Sequence, residues 1–277
     1  MPDSKETKGR KGDHQNVARA AQVIDIIAAS GPNGLRMTDV TERSGLGGST
    51  VHRLLAGLIE HGLIDQDPET NRYLVGLKMV SWTAAALSRY GLAPYADASL
   101  ERLCAATSDT VYLSYRSGND AVCVDRREGN FPIKTLTLAL GDHRPLGIGA
   151  GSLSLLAFQP EDDRRRLLAE DAVRRATYGF DTAYLEEKIA ETRERGFSLN
   201  DGKLISGMSG LGAPILRRDG TAVAALSIAA ISSRLEGERL TELSQMLREE
   251  AQTLASRASD VLDAELVKRH SFRKVQT

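Results

Sequence analysis

One run restricts this chain more than any other: Ser44-Gly45-Leu46-Gly47-Gly48-Ser49-Thr50-Val51-His52-Arg53-Leu54-Leu55-Ala56-Gly57-Leu58-Ile59-Glu60-His61. Gly45 permits a tight turn after a short helix, and Ser49 or Thr50 offers a hydroxyl to cap the next one. Val51, Leu54, Leu55, Leu58 and Ile59 then recur at helical spacing and predict an apolar face, with Ser49, Thr50, His52, Arg53 and Ala56 on the other. That second face is small, hydrogen-bonding and basic near its start. A helix end of this kind fits a DNA major groove, where Arg pairs with guanine, Ser and Thr meet base edges or phosphates, and the helix dipole favours phosphate. Taken alone, such a helix is most often an ordinary piece of a globular core. Its sequel decides between the two. Residues 62–75 read as strand, turn, strand, the turn marked by Asp67-Pro68 and Asn71. A short helix, a turn, a two-faced helix and a hairpin predict a winged helix-turn-helix.

Upstream, Val17, Ala20, Ala21, Ile24, Ile27 and Ala28 mark a scaffold helix from His14 to Ala29, stopped by Ser30-Gly31-Pro32-Asn33-Gly34. Leu35-Arg36-Met37 is a strand-like connector, and Thr38 caps the short helix Asp39 to Arg43. Residues 1–13 have no periodicity and are expected to be a disordered basic tail, either solvated or reaching along DNA as an arm.

Charge bears on this reading because nucleic-acid proteins often carry a basic excess. The chain of 277 residues has a net charge of −1, and over residues 1–78 basic and acidic side chains are equal in number. Placement therefore matters more than total. Arg43, Arg53 and Arg72 fall at the turn, the second helix and the wing, while Glu60, Asp65 and Asp67 lie toward the far end. Affinity then has to come from a few positioned contacts, doubled by self-association.

The length allows two domains with separate cores. A hydrophobic fraction of 41% and a charged fraction of 26% are those of a globular protein, and no apolar run approaches the roughly 20 residues of a membrane span. No apolar signal core precedes the basic residues at the start, so a cytoplasmic location is expected. Cys104 and Cys123 are too few and too isolated for a disulfide scaffold or a zinc cluster, and are expected as buried thiols.

Beyond the hairpin, Leu77, Val80, Ala84 and Leu87 predict a helix over Gly76 to Tyr90, a stiff linker. Trp82 on it is an interface or packing anchor rather than a ligand contact. Ala93 to Thr107 is a further helix with Leu100, Leu103 and Cys104 inward. From Asp109 the period changes to two: 110–116 and 121–127 form a hairpin, and Ile133 to Leu140 adds a third strand. Helices follow over 153–158, 161–168 and 181–195, the last ended by Gly196. Strands Leu211 to Arg217 and Thr221 to Ile231 come next, then a long helix from Leu235 to about Leu266. The expected product is an α+β domain: an antiparallel sheet, helices to one side of it, and room for a pocket.

Within that domain Gly147-Ile148-Gly149-Ala150-Gly151-Ser152 resembles a dinucleotide loop but fails its spacing, since Ser152 stands where a third glycine is required. These glycines better suit close approach of the backbone to a small anion at a helix N-terminus. No nucleophile with a base and orienter appears, and His14, His52, His61, His143 and His270 show no metal-ligand spacing. No enzyme, metal or cofactor is expected.

The run from Gln15-Asn16-Val17-Ala18-Arg19-Ala20 to Val75-Gly76, with Ser49-Thr50-Val51-His52-Arg53-Leu54-Leu55 at its centre, resembles the IclR family of bacterial transcriptional regulators. The likeness continues through Val124-Asp125-Arg126, Arg195-Gly196-Phe197 and Gly212-Ala213-Pro214-Ile215. It implies a winged helix-turn-helix joined by a linker helix to an effector-binding domain of GAF-like fold. The corresponding division is a tail at 1–13, a DNA-binding domain at 14–76, the linker helix at 77–92, the effector domain at 93–266 and a C-terminal tail at 267–277. DNA contacts are expected from Arg43, Ser49, Thr50, His52, Arg53 and Arg72.

In that family the segment matching Gly149-Ala150 supplies amides to the effector pocket. Where relatives that bind small oxo-acids have Asp, this chain has Asn200, with Asp201 beside it; where they have Cys, it has Gly210. Ser227 is kept, a second serine is replaced by Ala229, and Met208 holds an apolar position. The resemblance thus implies a roomier, less acidic pocket lined by Gly149, Ala150, Asn200, Met208, Gly210 and Ser227, for a larger organic acid, aromatic acids included. For Asn200 and Ser227 a purely structural role is an equal alternative.

The function these readings imply is sequence-specific regulation of transcription on double-stranded DNA, at a pseudo-palindromic operator bound by a dimer or tetramer and controlled by a small organic-acid effector. The alternative is an effector-independent DNA-binding protein whose C-terminal domain only oligomerises.

Overall fold

The computed structural model describes residues 6–90 and 92–263. The chain divides into two compact units, Met1–Arg89 and Tyr90–Thr277.

In the first unit three helices, α1 (Glu6–Ala28), α2 (Met37–Ser44) and α3 (Gly48–Glu60), precede a hairpin of β1 (Ile64–Gln66) and β2 (Tyr73–Val75) and helix α4 (Lys78–Tyr90). Val23, Ile27, Leu35, Val40, Val51, Leu55, Leu58, Ile64 and Tyr73 form its core. Two expectations for α1 are corrected. Its backbone is helical from Glu6, not from His14: once nucleated by its packed part, the helix continues toward its N-terminus in spite of Gly9 and Gly12. The part of the tail before Glu6 lies outside the described residues. The inward pair is Val23 and Ile27, while Val17 is 71% exposed.

The short helix is capped differently from the expectation. Asp39 in its first turn accepts a hydrogen bond from the Arg36 amide at 3.0 Å, so Thr38 is a helical residue and not the cap. Gly45 is left-handed (φ 66) and its N–H bonds to the Thr41 carbonyl, the reversal that the glycine predicts. Gly47, in extended conformation, then starts α3 with no side-chain cap, so Ser49 and Thr50 sit within the first turn instead of capping it.

The wing turn is built by Asp67, whose carboxylate accepts from the amides of Glu69 (2.9 Å) and Thr70 (2.7 Å). Those bonds hold its pKa below the ordinary carboxylate value. Asn71 supplies the left-handed residue (φ 56). Gly76 is obligatory, since a Cβ there would lie 2.4 Å from the Gly62 carbonyl oxygen.

The second unit opens with α5 (Ala93–Thr107) and is built on a six-stranded antiparallel sheet in the order β5-β4-β3-β8-β7-β6. The strands are β3 (Thr110–Ser117), β4 (Asp120–Glu128), β5 (His143–Pro145), β6 (Ser198–Ile205), β7 (Met208–Leu216) and β8 (Ala222–Ile231). Between β5 and β6 lie α6 (Ala150–Ala157), α7 (Glu161–Glu170), α8 (Ala172–Ala176) and α9 (Thr182–Arg195), and α10 (Gly237–Arg257) follows β8.

Helices cover both faces of this sheet, not one. Val111, Leu113, Leu211, Ala213, Leu226 and Ile228 pack against α5 and α10, while α6, α7 and α9 build a separate apolar cluster on the other face. The near-continuous apolar run of β8, Ala222-Val223-Ala224-Ala225-Leu226-Ser227-Ile228-Ala229-Ala230-Ile231, is the mark of a strand buried on both sides.

Residues 133–140 are not a strand. The edge of β4 that they would join is taken by the next segment: Ala121 pairs with Arg144 and Val122 with His143, and Cys123 exchanges bonds with Gly141 and Asp142. Ile133, Leu136 and Leu140 accordingly stay about half exposed or more. The structure adds strand β6 and helix α8 to the expected elements, and the β6–β7 register breaks between Asn200 and Ile205. Helix α6 begins at Ala150 rather than Leu153, and α10 ends at Arg257 with another helical turn at 259–263. The residues beyond 263, including the expected tail at 267–277, lie outside the described set. Among the described residues no helix is long and apolar enough to cross a membrane.

Candidate functional site

The first surface is the outward side of α3. Val51, Leu55 and Leu58 are buried, Ser49, His52, Arg53 and Ala56 are exposed, and Thr50 is half-buried. The core thus turns a small, polar, basic strip to solvent. Arg43, in the last turn of α2, is exposed as well. Arg72 is half-buried: its guanidinium donates through Nη1 to the carbonyls of Gly34 (3.0 Å) and Asn33 (3.3 Å), fastening the wing to the turn after α1.

The second is a cavity in the second unit, between the sheet and the start of α6. Gly149, Ala150, Asn200, Met208, Gly210 and Ser227 all line it. Register brings these distant residues together. Asn200 is opposite Gly210 and Gly210 opposite Ala229, while Ser198, Gly212, Ser227 and Tyr112 make the parallel rung two residues on. Side chains two apart share a face, so both rungs look toward α6.

That helix is locked onto the sheet. The Ser198 hydroxyl donates to the Ala150 carbonyl (2.6 Å), the Ser154 hydroxyl to the Gly212 carbonyl (2.8 Å), and the two hydroxyl oxygens lie 2.9 Å apart. A Cβ at Gly212 would be 2.5 Å from the Ala150 carbonyl oxygen, so only glycine allows this approach. Gly149 (φ 88) stands at the start of α6. Gly149, Ala150, Gly151 and Ser152 line the cavity, so the first turn of α6, whose amides a helix leaves without internal acceptors, forms part of its wall. The strand ahead of them, β5, is a three-residue antiparallel edge, not the parallel entry of a dinucleotide fold.

Tyr112, Thr135, Thr137 and Arg144 are among the further wall residues that the sequence does not point to as pocket residues. The Tyr112 hydroxyl donates to the Thr135 carbonyl at 2.6 Å and accepts from the Thr137 amide at 3.2 Å, so a side chain organises the segment expected as a strand. Burial raises the Tyr112 pKa. Arg144 donates to the Thr137 carbonyl, and burial lowers its pKa, opposed by Tyr178 and Asp142. The only signal for it in the sequence is a lone cation just before the glycine-rich run.

Among the described residues no group of His, Cys, Asp and Glu could hold a metal ion. Cys123 is buried, its pKa pushed up to about 11 first by burial and then by Asp142. A thiol so held is a poor nucleophile near neutral pH.

A helix-turn-helix unit with its polar strip outward, followed by a separate α+β unit with a cavity of mixed polar and apolar lining, is the architecture of a DNA-binding regulator. The IclR helix-turn-helix domain matches residues 16–68, and the bacterial transcriptional regulator IclR C-terminal domain matches residues 84–256. The chain belongs to the IclR family of DNA-binding transcriptional regulators. It is 30% identical to the HTH-type transcriptional regulator BhcR of Paracoccus denitrificans, over 86% of this chain and 85% of that one. It is 27% identical to the HTH-type transcriptional regulator XynR of Escherichia coli, over 85% of this chain and 93% of that one. Its fold is that of an IclR homologue from Microbacterium hydrocarbonoxydans, solved in complex with 4-hydroxybenzoate, at a TM-score of 0.72 and 19% identity, with 90% of this chain and 99% of that one covered. The relatives are named as transcriptional regulators, and this chain is a regulator, not an enzyme.

Proposed function

We propose that the second unit senses a small organic acid and that its binding changes the affinity of the first unit for a pseudo-palindromic operator in the cytoplasm. The observation that carries this reading is the cavity itself, where the first-turn amides of α6 and the Arg144 guanidinium share a wall that has no carboxylate among its residues. Both groups favour an anion. In the first unit Arg53, Ser49, Thr50 and His52 are assigned to base edges and phosphates, with Arg43 beside them. Arg72 is assigned the part of holding the wing in place. A homo-oligomer, dimer or tetramer, doubles these few contacts; the exposed Leu77 and Val80 and the half-exposed Trp82 on and before α4 support self-association. Helix α4 is assigned the role of stiff linker.

A ligand shifts such an equilibrium only by binding its two states unequally. Mobility-shift titration on the promoter of its own gene, with and without a panel of aromatic and aliphatic acids, tests the proposal. At least one acid is expected to change operator affinity and to raise the melting temperature. Intact operator binding that no acid alters, with no thermal shift from any of them, overturns the effector in favour of a second unit that only oligomerises.

A further inference from the structure

Helix α4 is held to the rest of the first unit at one end only. From Leu77 to Ala85 every residue is exposed except the half-buried Met79, and among the described residues no other element packs broadly along the helix. A helix free along its sides takes its direction from the end that is fixed.

That end is built against the last residue of α3 and those that follow it. The Gly76 amide donates to the Leu63 carbonyl at 2.9 Å, and a Cβ at Gly76 would stand 2.4 Å from the Gly62 carbonyl oxygen. Lys78 adds the only side-chain hydrogen bond from α4 to another part of the chain among the described residues: its ammonium donates to the His61 carbonyl at 3.0 Å. His61 caps the C-terminus of α3, where carbonyls lack partners within the helix and the dipole favours a cation. The Lys78 stem runs beside Gly62, 3.9 Å from where its Cβ would be. The ammonium lies 5.7 Å from the centre of the Trp82 ring, one turn along α4.

Lys78 thus joins the helix assigned to the DNA groove to the side of α4 assigned to self-association. In a dimer the separation and rotation of the two α3 helices depend on the angle between α3 and α4 in each copy. Each base pair added between two half-sites turns one against the other by about 34°, so a fixed angle selects one spacing. Resting on the reading of α4 as a stiff linker between self-associated copies, we infer that Lys78 is a positioning residue for DNA recognition: its bond to the His61 carbonyl fixes the angle between α3 and α4, and with it the half-site spacing that the protein accepts. In this role it touches no base.

The test compares full-length wild type, Lys78→Met and the conservative Lys78→Arg on the promoter site of the protein's own gene, mapped by footprinting. Mobility-shift titrations are run on that site, on versions with one or two base pairs inserted at or removed from its centre, and on unrelated DNA, each at two salt concentrations. Wild type is expected to lose about tenfold or more on the altered spacings, because the second copy can no longer engage. Lys78→Met keeps the stem and loses the donor. It is expected to bind the natural site about three- to tenfold more weakly and to differ by less than about threefold between spacings, with an unchanged salt dependence. Lys78→Arg should restore most of the discrimination, since it keeps the charge and the donors. Circular dichroism checks the fold of each variant; should Lys78→Met not fold, Lys78→Ala, which suits a helix, makes the same comparison. A Lys78→Met protein that discriminates between spacings as wild type does overturns the inference. So does a loss shared equally by all DNA with a shallower salt dependence, which marks Lys78 as a phosphate contact. Wild type that binds every spacing alike, or binds as a monomer, overturns the reading of a self-associated linker beneath it.

Discussion

The phenolic oxygen of Tyr112 lies 2.6 Å from the carbonyl oxygen of Thr135, twenty-three residues further along the chain. Through this bond, and the one it accepts from the Thr137 amide, a β3 side chain holds the cavity's outer wall. Tyr112→Phe keeps the ring and removes both bonds. The expected cost is about 1–3 kcal/mol of stability, the range for leaving buried backbone groups unsatisfied. Urea unfolding of the two proteins measures it, and hydrogen exchange should show earlier opening of residues 133–140 in the variant. Unchanged stability and exchange would show that the wall is held by other means.

Arg53 is exposed on α3 with no ion pair among the described residues. If it reads a guanine, Arg53→Ala weakens specific operator binding by about 1–3 kcal/mol and relaxes preference at one base pair. Mobility-shift titration on wild-type and single-substituted operators measures both effects. A phosphate contact instead weakens binding to all sequences alike and lowers the salt dependence.

Gly212 faces the Ala150 carbonyl across a gap that cannot admit a methyl group. Gly212→Ala therefore pushes α6 off β7 or forces the strand to shift, at about 1–3 kcal/mol for overpacking. The same movement strains the Ser154 and Ser198 bonds that seat the helix. Thermal unfolding gives the cost, and acid binding should weaken with it because the first-turn amides move. A variant as stable as the parent would mean that this contact is loose.

Burial pushes the Cys123 thiol up from 9.0 to about 11. The folded state therefore favours the protonated thiol more strongly than the unfolded state does. Its contribution to stability is complete below pH 9 and is lost as pH rises from there toward about 11, since the unfolded chain then binds fewer protons. Denaturant unfolding of wild type and Cys123→Ala across this range isolates the effect from that of tyrosines and lysines. The wild-type curve should fall more steeply, and parallel curves would show that the thiol ionises alike in both states.

What could be read from residues alone was local chemistry. The two faces of α3, the left-handed Gly45, the Asp67-centred wing turn and Gly196 at the end of α9 follow from spacing and from backbone preferences that act over a few residues. Helix starts were less legible: Gly47 precedes α3 without offering any side-chain cap, and Asp39 caps α2 from inside its first turn. The stretch 133–140 has the composition of a strand, but whether a strand forms depends on a free edge, and residues 141–145 hold that edge.

The cavity divides along the same line. Gly149 and Ala150 show themselves as a glycine-rich helix start, and Asn200, Met208, Gly210 and Ser227 came from likeness to a family. Their meeting in one wall is the work of strand register, which spans residues 112 to 229. Arg144 shows in the sequence only as a lone cation before the glycine-rich run, and Thr135 carries no mark at all. A guanidinium buried against the Thr137 carbonyl and a buried hydroxyl without a partner are defined by what the rest of the fold leaves around them, so only the tertiary packing could single them out.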